Sequence, residues 1–173
     1  AEGRIADFAV SPDARRVAVI LGEERMAIRP ESIVQAEGST RQRLAIINLV
    51  DDAVARPMDA FDVAPHLLRW SSDSSSLLVW ARQDGTDWTD GRLMHVDQAG
   101  AAMVPLDGLT PGGSADILRG VRAEWLGGTP VVYARPKDGE RFDWYALAAG
   151  GRPAPMTGEL TSVPSQIAAV AGD

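Results

Sequence analysis

Residues with chemical capacity are few and scattered in this chain. A serine nucleophile of the hydrolase kind needs a Gly-x-Ser-x-Gly elbow, with Asp and His following it. No such elbow occurs; Gly112-Gly113-Ser114-Ala115-Asp116 comes nearest, but with the wrong glycine spacing and within a Pro-Gly loop. The two histidines are isolated. His66 follows Pro65 just before an apolar strand, and His95 lies inside Leu93-Met94-His95-Val96. Neither has a nearby Ser or Glu patterned to activate it, and both read as structural histidines. Zinc needs several His, Cys or carboxylate ligands at short spacing, which these do not provide.

The acidic stretch Asp84-Gly85-Thr86-Asp87-Trp88-Thr89-Asp90-Gly91 is the strongest invitation to a metal. Calcium loops place oxygen ligands at every second residue, whereas these carboxylates recur at every third. The stretch therefore reads as a solvated hairpin loop. Of the five tryptophans, Trp70 and Trp125 read as core and Trp80 lies in a buried-type strand, while Trp88 and Trp144 sit in or beside loops and are the interface candidates. No Gly-x-x-x-x-Gly-Lys phosphate loop is present. Catalytic, cofactor-binding and metal-binding residues: none is assigned.

Composition narrows the partners. Acidic residues outnumber basic ones 24 to 17, a net charge of −7. That balance argues against a nucleic-acid partner and against an anionic membrane surface. Cysteine is absent, which removes disulfides and thiolate sites but leaves both cytoplasm and bacterial periplasm open. No apolar run approaches a membrane span. The start at Ala1-Glu2-Gly3 suits a mature end after signal-peptide removal, or simply a cut boundary.

The elements that must position these residues repeat. Phe8-Ala9-Val10-Ser11-Pro12-Asp13-Ala14-Arg15-Arg16-Val17-Ala18-Val19 returns as Leu68-Arg69-Trp70-Ser71-Ser72-Asp73-Ser74-Ser75-Ser76-Leu77-Leu78-Val79. A weaker copy runs from Ala123 to Tyr133 with a shorter turn. The anchors Val10, Trp70 and Trp125 are 60 and 55 residues apart. Each copy predicts a strand, a tight Ser-x-Asp turn and a second apolar strand. A third strand follows at 44–49, 92–97 and 144–148, and a short fourth near 55–58, 103–106 and 154–156.

Four short antiparallel strands repeated in tandem describe the blade of a β-propeller. The expected class is all-β: a partial β-propeller of about three four-stranded antiparallel blades, plus the first strand of a fourth. The blades are placed at 4–60, 61–108 and 117–158, with the next opening at 164–173. Residues 22–43 read as a polar surface insertion with a short helical turn at 29–35, and 109–120 as a connection between blades. Three blades cannot close a ring, so the chain reads as part of something larger.

Ser11-Pro12-Asp13-Ala14-Arg15-Arg16-Val17-Ala18-Val19 resembles the SPDG repeat of TolB-like propellers. The same repeat occurs in the N-terminal propellers of prolyl-oligopeptidase-like serine peptidases, a group including acylaminoacyl-peptidases, dipeptidyl-peptidases and lasso-peptide isopeptidases. Ala14 and Ser74 stand where the family prefers glycine. The long blades look more like the peptidase branch. That resemblance implies a non-catalytic segment gating and positioning a peptide substrate for an α/β-hydrolase domain outside this chain. Its partners would be the remaining blades and that hydrolase domain. The alternative is a TolB-like non-enzymatic propeller serving as a protein-interaction platform.

Overall fold

The structure, a computed structural model, describes residues 4–23, 41–112 and 121–167. Among them the chain is almost entirely β, arranged as three antiparallel meanders in succession. The first contains β1 (Arg4–Val10), β2 (Arg16–Glu23), β3 (Arg41–Asn48) and β4 (Val54–Ala55), hydrogen-bonded in that order. The second contains β5 (Phe61–Trp70), β6 (Leu77–Gln83), β7 (Arg92–Asp97) and β8 (Gly100–Met103). The third contains β9 (Leu109–Pro111), β10 (Ala123–Leu126), β11 (Thr129–Pro136), β12 (Asp143–Ala146) and β13 (Ala154–Pro155). Its path runs β10-β11-β12-β13, and β9 pairs with the far end of β11.

The Ser-x-Asp turns do the same work twice. Ser11 Oγ donates to Asp13 Oδ1 at 2.6 Å and accepts the Arg16 N–H at 2.9 Å. Ser71 Oγ donates to Asp73 Oδ1 at 2.6 Å and accepts the Ser76 N–H at 2.9 Å. Both serines are buried, so each polar group is satisfied inside its own turn. The third copy replaces this device with Gly127 and Gly128, both at positive φ (54° and 78°), between the paired residues Leu126 and Thr129. Two central residues at positive φ make the tight hairpin turn that matches strand twist, and glycine adopts it freely.

Ala14 and Ser74 both hold a left-handed backbone conformation, with φ of 56° and 62°. Their side chains differ in consequence. Ser74 Oγ accepts the Asp13 N–H at 2.9 Å, linking the two turns, while Ala14 has no polar group to offer. Ala14→Gly should therefore raise unfolding free energy by about 0.5–1 kcal/mol, as relief of left-handed strain exceeds the added chain entropy. Ser74→Gly should bring no gain, since it loses the link; urea midpoints of the two variants check the contrast.

Packing explains why β6 is apolar from Leu77 to Ala81. Leu77, Val79 and Ala81 join Ala18, Ile20 and Leu44 in a core shared with the first sheet. Leu78 and Trp80 face the other way, into a core with Ala123, Trp125, Val132, Tyr145 and Leu147 of the third. Successive strand residues point to opposite faces, so a sheet covered on both sides needs apolar residues at every position.

The inner edges are laced by one repeated bond. Trp70 Nε1 donates to the carbonyl of Ala9 at 3.1 Å, and Trp125 Nε1 to that of Arg69 at 2.8 Å. In each case the acceptor is the residue before the preceding anchor. The leading strand of every meander is also interrupted at one matching height. One extra residue, Ala6, bulges in β1; residues 64–67 stand opposite Trp80 in the second. In the third the register breaks at Tyr133, whose carbonyl accepts the Gly112 N–H at 3.1 Å and whose N–H donates to the Arg122 carbonyl at 2.9 Å. Bulges at a fixed register mark a repeated architectural unit.

Several boundaries move from their sequence-based positions. Leu109–Pro111 is a strand paired with 134–136, not a connection between units. Gly22 and Glu23 continue β2, and Arg41 to Arg43 open β3, so the insertion is shorter than 22–43. Its helical turn at 29–35 lies outside the described residues. The second meander's last strand starts at Gly100, because Asp97 Oδ1 accepts the Ala99 N–H at 2.7 Å and closes a tighter turn. Met58 leaves the strand and is buried in the first core. Gln166 and Ile167 form no strand, and the rest of that segment lies outside the described residues.

Candidate functional site

The residues singled out for chemistry lie among the described residues, except Ser114, which lies outside them. The acidic stretch is dispersed by its own hydrogen bonds. Asp84 receives Arg43 through two bonds, 3.1 and 2.8 Å, and also pairs with Arg41. Asp87 caps the short 3-10 turn Trp88–Asp90 by accepting the Thr89 N–H at 2.9 Å. Among the described residues no three His, Cys, Asp or Glu gather as metal ligands would. The repeat of every third residue is thus an ion pair followed by a helix cap.

His66 sits exposed on the bulge of β5 at a φ of 77°, its N–H donating to Asp7 Oδ2 at 2.8 Å. His95 is half-buried, edge-on to Trp125 with centroids 5.8 Å apart, and its Nδ1 lies 4.0 Å from Asp97 Oδ2. The two histidines belong to different surfaces. Trp125 and Trp80 are buried, and Trp70 is half-buried beneath the Arg16 guanidinium at 5.2 Å. Trp88 lies under the Arg82 guanidinium at 4.5 Å, against the second core. Trp144, an interface candidate by sequence, is instead buried at 1% exposure. Its Nε1 donates to the Pro164 carbonyl at 2.9 Å because residues after β13 fold back over it.

What the sequence did not point to is a cleft of about 820 Å³ between the second and third sheets. The Ser71–Ser76 turn and the end of β8 form one wall. Trp125, Pro130 and Leu147 form the other, with His95 at the base of β7. Its charged lining residues are Asp73 and Asp107, with neither Lys nor Arg among them. The Ser71 hydroxyl, followed by the Ser75 N–H and hydroxyl, holds the Asp73 carboxyl at about 2, below its ordinary 3.8. Asp73 is therefore a carboxylate at any physiological pH. The volume and the mixture of apolar walls with a few fixed polar groups are those of a binding cleft. The turn residues were visible in the sequence; that one unit's turn faces the leading hairpin and a later loop of the next unit was not.

The strand pairing defines the class: an all-β protein of repeated four-stranded antiparallel meanders packed face to face. No family model matches the chain. No curated protein matches it either. Among solved structures it is similar to the crystal structure of TolB from Acinetobacter baumannii, at 15% identity with a TM-score of 0.46. The match covers 83% of this chain and 29% of that one, so the chain spans less than a third of that protein.

Proposed function

We propose that the three meanders are consecutive blades of a TolB-like β-propeller, and that this segment works as a protein-interaction platform. The observation that carries the function is the cleft between the second and third sheets, lined by apolar side chains, a serine-rich turn and two carboxylates. The lacing of leading strands through Trp70 and Trp125, together with the alternating allegiance of β6, supports the blade reading. Gating for an α/β-hydrolase domain rests on the Ser-Pro-Asp resemblance alone, and no surface described above favours it over the platform.

Two of the four serines lining the cleft are engaged as turn elements: Ser71 Oγ and Ser75 Oγ both donate to Asp73, a geometry that fixes the turn. The test is a binding panel of short peptides of varied composition, run with a hydrolysis assay on the same samples. Saturable binding of at least one peptide class without turnover is expected. If no peptide class binds, or if hydrolysis is seen and a serine-directed inhibitor abolishes it, the platform reading falls.

A further inference from the structure

The outermost strands of the three meanders are not alike. β4 is two residues long and runs into Arg56-Pro57. β13 is also two residues, follows Pro153 and ends in Pro155. Short length, proline and charge are the devices by which proteins keep an open sheet edge from pairing with another chain. β8 is followed by Pro105 two residues past its end, but differs from both in length. It is four residues long, Gly100-Ala101-Ala102-Met103, without charge or proline, and Met103 is half exposed.

Its free hydrogen-bonding groups can be assigned from the ladder. The Val104 N–H donates to the Leu93 carbonyl at 2.9 Å, so Val104 faces β7. In an antiparallel strand the backbone groups alternate sides, which directs those of Met103 and Ala101 to the open edge. Ala102, Met103 and Val104 also line the cleft. The same few residues thus offer a backbone template and one wall of an apolar cavity.

We infer that the open edge of β8 and the adjoining cleft take an extended polypeptide segment of alternating apolar and basic side chains, added as a strand to the second sheet. This rests on the platform reading and names its ligand. The backbone requirement comes from the edge, and the apolar requirement from Met103, Trp125 and Leu147. The basic requirement comes from Asp73 and Asp107, which form no ion pair among the described residues. Arg92, the guanidinium that reaches the Met103 sulfur at 3.2 Å, is not among the residues lining the cleft. Strand addition supplies affinity through main-chain bonds, while alternate side chains supply selectivity.

The experiment is fluorescence anisotropy of a labelled, acetylated peptide alternating valine and lysine, titrated with the full chain. Saturable binding is expected. N-methylation of the peptide amides that face the protein should weaken it about tenfold, because each blocked amide loses a main-chain bond. Glutamate in place of lysine should weaken it by a similar factor of about ten. On the protein side, Met103→Pro removes an outward N–H without touching the β7 ladder, and should cost about tenfold with the near-ultraviolet dichroism unchanged. The methylated peptide asks the same question of the unaltered chain, so a folding defect in Met103→Pro cannot decide the result. Equal binding of the methylated or the glutamate peptide overturns the inference. Should valine–lysine peptide fail while another member of the panel binds, this inference falls and the platform reading stands; if nothing binds, both fall.

Discussion

Trp125→Ala is expected to lower the unfolding free energy by about 4 kcal/mol, against a total of about 5–15 for a domain. Trp125 is 8% exposed and sits among Leu78, Trp80, Ala123 and Leu147 in the core between the second and third sheets. Truncation there removes apolar burial and opens a cavity that rigid sheets on both sides cannot close. It also deprives the Arg69 carbonyl of its indole donor. Trp125→Phe separates the two contributions, keeping most of the packing while losing the bond, and should cost about 1–2 kcal/mol. Trp70 occupies the equivalent place in the repeat, yet Trp70→Ala should cost only about 2 kcal/mol. Its ring is half-buried, with Arg16 over one face. Urea denaturation followed by far-ultraviolet dichroism gives all three values. Equal losses at Trp70 and Trp125 would mean that the two cores do not differ as described.

That inequality shows where the sequence was legible and where it was not. The repeat put Trp70 and Trp125 at equivalent positions, and the structure gives both the same indole-to-carbonyl bond. Strand order within each meander followed from turn chemistry: Ser11 and Ser71 close their turns by the bonds that Ser-x-Asp was expected to make. Burial was harder to read. It depends on which sheet lies opposite, and a local pattern does not carry that. Trp144 shows this, since it sits at the end of a turn-rich stretch in sequence but is covered by Pro164 from twenty residues onward. The interruption of the leading strands was hidden for a related reason. Leu109–Pro111 pairs with a strand more than twenty residues later, across an excursion that reads locally as a loop. The cleft was invisible altogether, because its walls come from turns of one unit and strands of the next.

The acidic stretch offers the sharpest separation of sequence likeness from structural role. Asp84, Asp87 and Asp90 recur at equal spacing in one loop, so sequence gives no reason to rank them. Structure ranks them steeply. Arg43, on the first sheet, is buried with its guanidinium paired in two bonds to Asp84 of the second. Asp84 is half-buried, but removing it leaves the desolvated Arg43 charge without that carboxylate, still held by the Phe61 carbonyl, a loss of up to about 3 kcal/mol. Asp84→Ala is therefore expected to destabilise the protein by up to about 3 kcal/mol, weakening the seam between the first two sheets. Asp87→Ala should do less, because it removes only a cap on a single exposed turn. Asp90→Ala, whose carboxylate has no bond to the core, should leave the urea midpoint nearly unchanged. A double-mutant cycle with Arg43→Met tests the cause. Methionine keeps much of the buried volume and takes the charge away, so in its presence Asp84→Ala should cost about 1 kcal/mol or less. An undiminished loss in the Arg43→Met background would place the role of Asp84 in its loop or in its pair with Arg41 instead of in the Arg43 pair.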